Sequence, residues 1–85
     1  MQLTVSRAQL EAVRGAKHLP DVLQRVLGAA RPLGDGYVLT LTYEEATALN
    51  ELCAWNVHTD AGGAVTPASR PFDEVVKAIL THPEY

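Results

Sequence analysis

Tyr37-Val38-Leu39-Thr40-Leu41-Thr42-Tyr43-Glu44-Glu45 holds a strand and the start of a helix within nine residues. Tyr37, Leu39 and Leu41 alternate onto one face, the period of a half-buried strand. Thr42 followed three residues later by Glu45 is a capping box: the hydroxyl accepts from a first-turn N–H, and the carboxylate reaches back to the threonine's own N–H. The helix opened there is predicted to run over about residues 43–57, until His58-Thr59-Asp60-Ala61-Gly62-Gly63 ends it.

Upstream the same pattern is written once more. Leu3-Thr4-Val5 alternates, and Ser6 with Gln9 forms a second capping box for a helix of about residues 7–17. Leu3, Thr4, Val5, Ser6 and Gln9 answer to Leu39, Thr40, Leu41, Thr42 and Glu45 at a constant offset of 36. Pro20 and Asp21 open a further helix of about residues 20–30, whose Val22, Leu23, Val26, Leu27 and Ala30 recur at the helical period. Arg31-Pro32-Leu33-Gly34-Asp35-Gly36 is dense in breakers and reads as a turn. Residues 58–70 read as a loop, near the length at which structureless loops are usually functional or mobile. Pro71, Asp73 and Glu74 open a last helix of about residues 71–81, striped by Phe72, Val75, Val76, Ile79 and Leu80.

The predicted fold is α+β: one small domain over residues 1–85, with two short strands and four helices in the order β-α-α-β-α-α. Its internal halves, 1–33 and 36–82, have the look of a pseudo-repeat. Two short strands are marginal by themselves in water, so their sheet is expected to be covered by helices or completed by strands of a second chain. A homodimer is therefore one expectation.

Composition sets the scale. The chain has 85 residues, seven Lys+Arg against ten Asp+Glu, a net charge of −3, 47% apolar residues and one cysteine. Such a chain supports one modest core, leaving roughly 4,900 Å² exposed of the roughly 13,000 Å² of its extended form. Cys53 has no partner for an intramolecular disulfide, which suits a reducing compartment. No apolar run approaches a membrane span, and Met1-Gln2-Leu3-Thr4-Val5 has neither the basic start nor the apolar stretch of a signal peptide, so a cytoplasmic location without membrane contact is expected.

Catalytic constellations fail on spacing. Cys53 and His58 are five residues apart, about 140° around a helix, and would point away from each other. His18, His58 and His82 show no HxxxH or HxH spacing, and no CxxC accompanies them. His58 and Asp60 could form an acid–base pair, with no Ser or Cys placed to use it. Gly62-Gly63 does not lead directly into a helix N-terminus, as a phosphate cradle requires. No enzyme, cofactor or metal is expected. Nucleic acid is an alternative: the first two helices could form a helix–turn–helix with Gln24 and Arg25 reading bases. Against it, Glu11 interrupts the Arg7, Arg14, His18 stripe, and a net charge of −3 offers little attraction to phosphate.

The helix over 43–57 points elsewhere. Its apolar residues, from Trp55 and Ala48 through Leu52 and Cys53 to Val57, cover about 190°, against the roughly 100° that one packing surface needs. Trp55 lies at the edge of that arc, where a single tryptophan more commonly finishes a core, although it is also the type most enriched in binding hot spots. Asn56 falls in its middle, where the amide needs partners, either bracing the following loop or meeting another chain. Residues 1–42 carry +2 and residues 43–85 carry −5. Halves of opposite sign can attract each other within the fold; in the sharper reading Glu44, Glu51, Asp60, Asp73 and Glu74 make an acidic surface that meets a basic protein partner. The expectation is a small non-enzymatic interaction module, of the regulatory, inhibitory or adaptor kind, binding through Glu51, Trp55, Asn56, His58 and Asp60.

Overall fold

Both capping boxes are closed. Ser6 Oγ accepts from the Gln9 N–H at 3.1 Å and the Ser6 N–H donates to Gln9 Oε1 at 2.9 Å. Thr42 Oγ1 accepts from the Glu45 N–H at 3.1 Å, and the Thr42 N–H donates to Glu45 Oε1 at 2.8 Å. The computed structural model describes residues 1–85. In chain order it contains β1 (Gln2–Ser6), α1 (Arg7–Arg14), α2 (Asp21–Gly28), β2 (Arg31–Leu33), β3 (Gly36–Thr40), α3 (Tyr43–Trp55), a single 3₁₀ turn (Pro67–Ser69) and α4 (Arg70–Leu80).

The class is α+β, as the sequence indicates, but the order is β-α-α-β-β-α-α. The extra strand, β2, lies in the segment that reads as a turn, and it completes an antiparallel sheet in the order β1-β3-β2. Gly34 and Asp35 form its two-residue hairpin loop, with Leu33 opposite Gly36. Gly34 has φ +59°, the first-position conformation that a type II′ hairpin reserves for glycine. Gly36 is required for another reason: a Cβ there would sit 2.6 Å from the Val5 carbonyl oxygen of the neighbouring strand.

β1 pairs with β3 so that Leu3 stands opposite Leu39. These are also the equivalent residues of the offset-36 pattern, so a local two-fold axis through this pair exchanges the two strands. Leu3, Val5, Leu39 and Leu41 are buried on the helix-covered face, while Gln2, Thr4 and Thr40 are exposed on the other. Leu10 and Val13 of α1, Leu23, Val26 and Leu27 of α2, Ala46, Leu49 and Cys53 of α3, and Val75 and Ile79 of α4 join them in one core. α1, α2 and α4 pack on the strands, whereas α3 packs chiefly on α4 and α2.

The helices are shorter than the apolar pattern suggests. α1 stops at Arg14, where Gly15 ends the run, rather than near 17; α2 ends at Gly28 and α3 at Trp55. The stretch 58–70 is built rather than structureless. Thr59 bridges Val65, the Thr66 N–H donates to the His58 carbonyl at 3.0 Å, and Gly63 takes φ +82° at the tip.

Candidate functional site

α3 emerges from its packing at its last turn. Ala46, Leu49 and Cys53 face inward, and burial pushes the Cys53 thiol up to about 12, which keeps it protonated and unreactive. Two residues beyond Cys53, Trp55 is 84% exposed, the most exposed large apolar side chain of the chain. The wide apolar arc therefore divides into a buried part, made by Ala46, Leu49 and Cys53, and an open edge.

A groove of about 550 Å³ runs beside Trp55. One wall is α3 and its end, with Ala48, Glu51, Leu52, Trp55 and Asn56; the other is the α1–α2 connection, with Lys17, His18 and Pro20. His18 is the one non-glycine residue with positive φ, +59°, a left-handed turn that brings the chain round from α1 toward α2. On the far side of Trp55 lies a shallower depression of about 390 Å³, shared by Asn50, Glu51 and Val57. Asn50 Oδ1 is buried without a hydrogen-bond donor.

Asn56 is the C-cap of α3, and its Nδ2 donates to the Leu52 carbonyl at 2.8 Å. The amide in the middle of the arc is thus used to finish the helix and brace the chain where it leaves α3. His58 and Asp60 stand on the exposed 58–66 hairpin. Asp60 Oδ1 accepts from the Gly62 and Ala64 N–H groups at 2.8 and 3.1 Å, so this carboxylate shapes the turn. No hydrogen bond joins His58 to Asp60.

Ser69 is the residue that pattern reading misses. It is buried, and its Oγ donates to the Asn56 carbonyl at 3.2 Å while accepting from the His58 N–H and the Thr66 hydroxyl, both at 2.9 Å. One hydroxyl therefore locks the end of α3, the hairpin and the start of α4 together. A lone serine among small residues carries no periodic signal of this, although its place just before α4 marks a junction.

The acidic surface is narrower than composition implies. Asp73 pairs with Lys77 at 2.9 Å, Glu74 accepts from the Gln9 amide at 3.3 Å, and Glu45 closes its capping box. Glu44 and Glu51 are exposed and unpaired, and they share a stripe of α3 with Ala48 and Trp55 at helical spacing. On α1, Arg7 pairs with Glu11 at 3.1 Å, while Arg14 Nη2 donates to the Leu27 carbonyl at 2.7 Å and closes the C-terminus of α2. Gln24 Nε2 donates to the Leu19 carbonyl at 3.0 Å.

No protein-family model, curated protein or solved structure matches this chain. His18 follows α1, His58 lies in the hairpin and His82 follows α4, and no three His, Cys, Asp or Glu side chains converge to hold a metal ion. His82 ties the C-terminal end to β1. Its Nδ1 accepts from the Glu84 N–H at 3.0 Å, which leaves Nε2–H to donate to the Gln2 carbonyl at 2.8 Å. No helix is long and apolar enough to cross a membrane.

Proposed function

We propose that this chain is a non-enzymatic protein-interaction module, regulatory, inhibitory or adaptor in kind, that docks its partner on the end of α3. The observation that carries the reading is Trp55, 84% exposed beside a groove while Leu49 and Cys53 of the same helix are sealed in the core. A tryptophan buries on the order of 200 Å² when covered, which makes it the strongest single anchor available on this surface.

Glu51 lies one turn before Trp55, and Glu44 lies two turns before Glu51 on the same stripe. Both lack an internal partner, so the surface that meets them brings positive charge. Asn56, His58 and Asp60 continue from the helix end on a hairpin held by Ser69. Such a preformed surface loses little entropy when it binds. The helix–turn–helix alternative has less in its favour: the Gln24 amide and the Arg14 guanidinium are engaged with backbone carbonyls, leaving Arg25 to read bases. A lone thiol without a disulfide partner fits work in the reducing cytoplasm.

The test is capture by the tagged chain, with nuclease present, comparing the wild type with Trp55→Ala at matched circular dichroism. The expected result is a stoichiometric protein, another chain or an untagged copy, whose retention falls at least tenfold in the variant. Equal retention by both, or retention of salt-sensitive nucleic acid in place of protein, would overturn the reading.

A further inference from the structure

We infer that the partner surface is a second copy of this chain, docked two-fold so that each Trp55 enters the other's groove and each Lys17 meets the other's Glu51. This rests on the reading of the α3 end as a docking face and names the occupant. The groove has walls of opposite character, with Lys17 on the α1–α2 connection and Glu51 on α3. Neither side chain makes an ion pair or hydrogen bond within its own chain, both ion pairs of the molecule being Arg7 with Glu11 and Lys77 with Asp73. A uniformly basic partner would meet Lys17 unfavourably. A two-fold axis turns each wall onto the opposite wall of the second copy, so one surface supplies both the charge and its complement, as an isologous interface requires. Lys17 comes from the +2 half of the sequence and Glu51 from the −5 half.

Sheet extension is a poor competing route. Met1 and Leu41 exchange backbone bonds at 2.7 and 2.8 Å, so with strict alternation Leu3 and Val5 also bond to β3, and Gln2, Thr4 and Ser6 face the open edge of β1. On that edge the Gln2 carbonyl is taken by His82 and the Ser6 N–H by Gln9. The outer edge of β2 presents Pro32, which has no N–H to offer. Both edges are thus partly blocked, and the helical face is the one that carries the exposed apolar anchor.

The experiment is sedimentation equilibrium of the full chain from low to high micromolar concentration, on the wild type, Trp55→Ala, Lys17→Glu, Glu51→Lys and the double variant Lys17→Glu/Glu51→Lys. The expected result is a monomer–dimer equilibrium, weakened at least tenfold by each single change and restored to within about threefold by the double variant. All of these side chains are exposed or lie at the rim, and circular dichroism verifies that each variant is folded. A wild type that stays monomeric throughout would overturn the second copy as occupant, as would a dimer indifferent to Trp55→Ala or single charge reversals that the double variant does not repair. A monomer that still captures another protein through Trp55 keeps the docking face and removes only its assignment to a second copy.

Discussion

β1–α1 and β3–α3 open with the same capping box and pair through the same two leucines, yet α1 stops after 8 residues whereas α3 runs for 13. Gly15 ends the first helix as soon as Leu10 and Val13 are buried, and Arg14 folds over to close α2. In the second unit nothing stops the helix after Cys53, so the chain continues for one more half-turn and carries Trp55 into solvent. Equivalent starts commit both units to the fold. The unequal ends separate a stretch that serves the core from one that leaves Trp55 in solvent.

The largest expected effect tests whether the two units share one core. Leu10→Ala in the first and Leu49→Ala in the second should each lose about 2–5 kcal/mol in urea unfolding, because both leave a cavity among fully buried neighbours. A loss below about 1 kcal/mol at either site would mean that the units are unequal inside as well as outside.

A second test is specific to α3. The folded chain holds the Cys53 proton from the ordinary value of 9.0 up to about 12, while the unfolded chain releases it from 9.0 upward. The contribution is therefore fully present below pH 9 and is lost as pH rises toward 12, with a slope approaching about 1.4 kcal/mol per pH unit. Lysines and tyrosines titrate in the same window, so the measurement is the difference in slope between the wild type and Cys53→Ala. Identical slopes would place the thiol in water.

Smaller still are the caps. Ser6→Ala and Thr42→Ala should cost about 1 kcal/mol each, and similar amounts, if the two boxes are equivalent. A cost at Thr42 alone would show that only the longer helix depends on its box.

Least of all, Trp55→Ala should change the stability of the monomer by no more than about 0.5 kcal/mol at protein concentrations too low for association. A loss of 2 kcal/mol or more, in the range of core truncations, would return Trp55 to the core and erase the contrast between the helix ends.

Much of the fold was legible because the decisive signals are local. Alternation at Leu3-Thr4-Val5 and at Tyr37 to Leu41, and a hydroxyl three residues before Gln9 or Glu45, require only neighbouring residues to be read. β2 was hidden because Arg31, Pro32 and Leu33 are all exposed and one of them is a proline; what makes them a strand is the partner β3. The available clue was Gly34-Asp35, a glycine-first pair suited to a two-residue hairpin. The apolar pattern overran α1 because Ala16 continues it past the glycine. The exposure of Trp55 depends on how far α2 and α4 reach along α3, and the role of Ser69 on three groups brought from 56, 58 and 66. Both are tertiary facts; the over-wide arc with Trp55 at its edge hints at the first, and the second has no periodic trace.

Because the chain has a single tryptophan, its fluorescence reports the disputed position without a label. The most direct measurement is the emission maximum and acrylamide quenching of Trp55 across a dilution series of the wild type. The account predicts the emission of a water-exposed indole, freely quenched, at the lowest concentrations, moving to the blue and becoming protected as copies associate. Blue, protected emission at dilutions where sedimentation shows a monomer would contradict it by showing the end of α3 packed within its own chain, and water-like emission at every concentration would show that no second copy covers it.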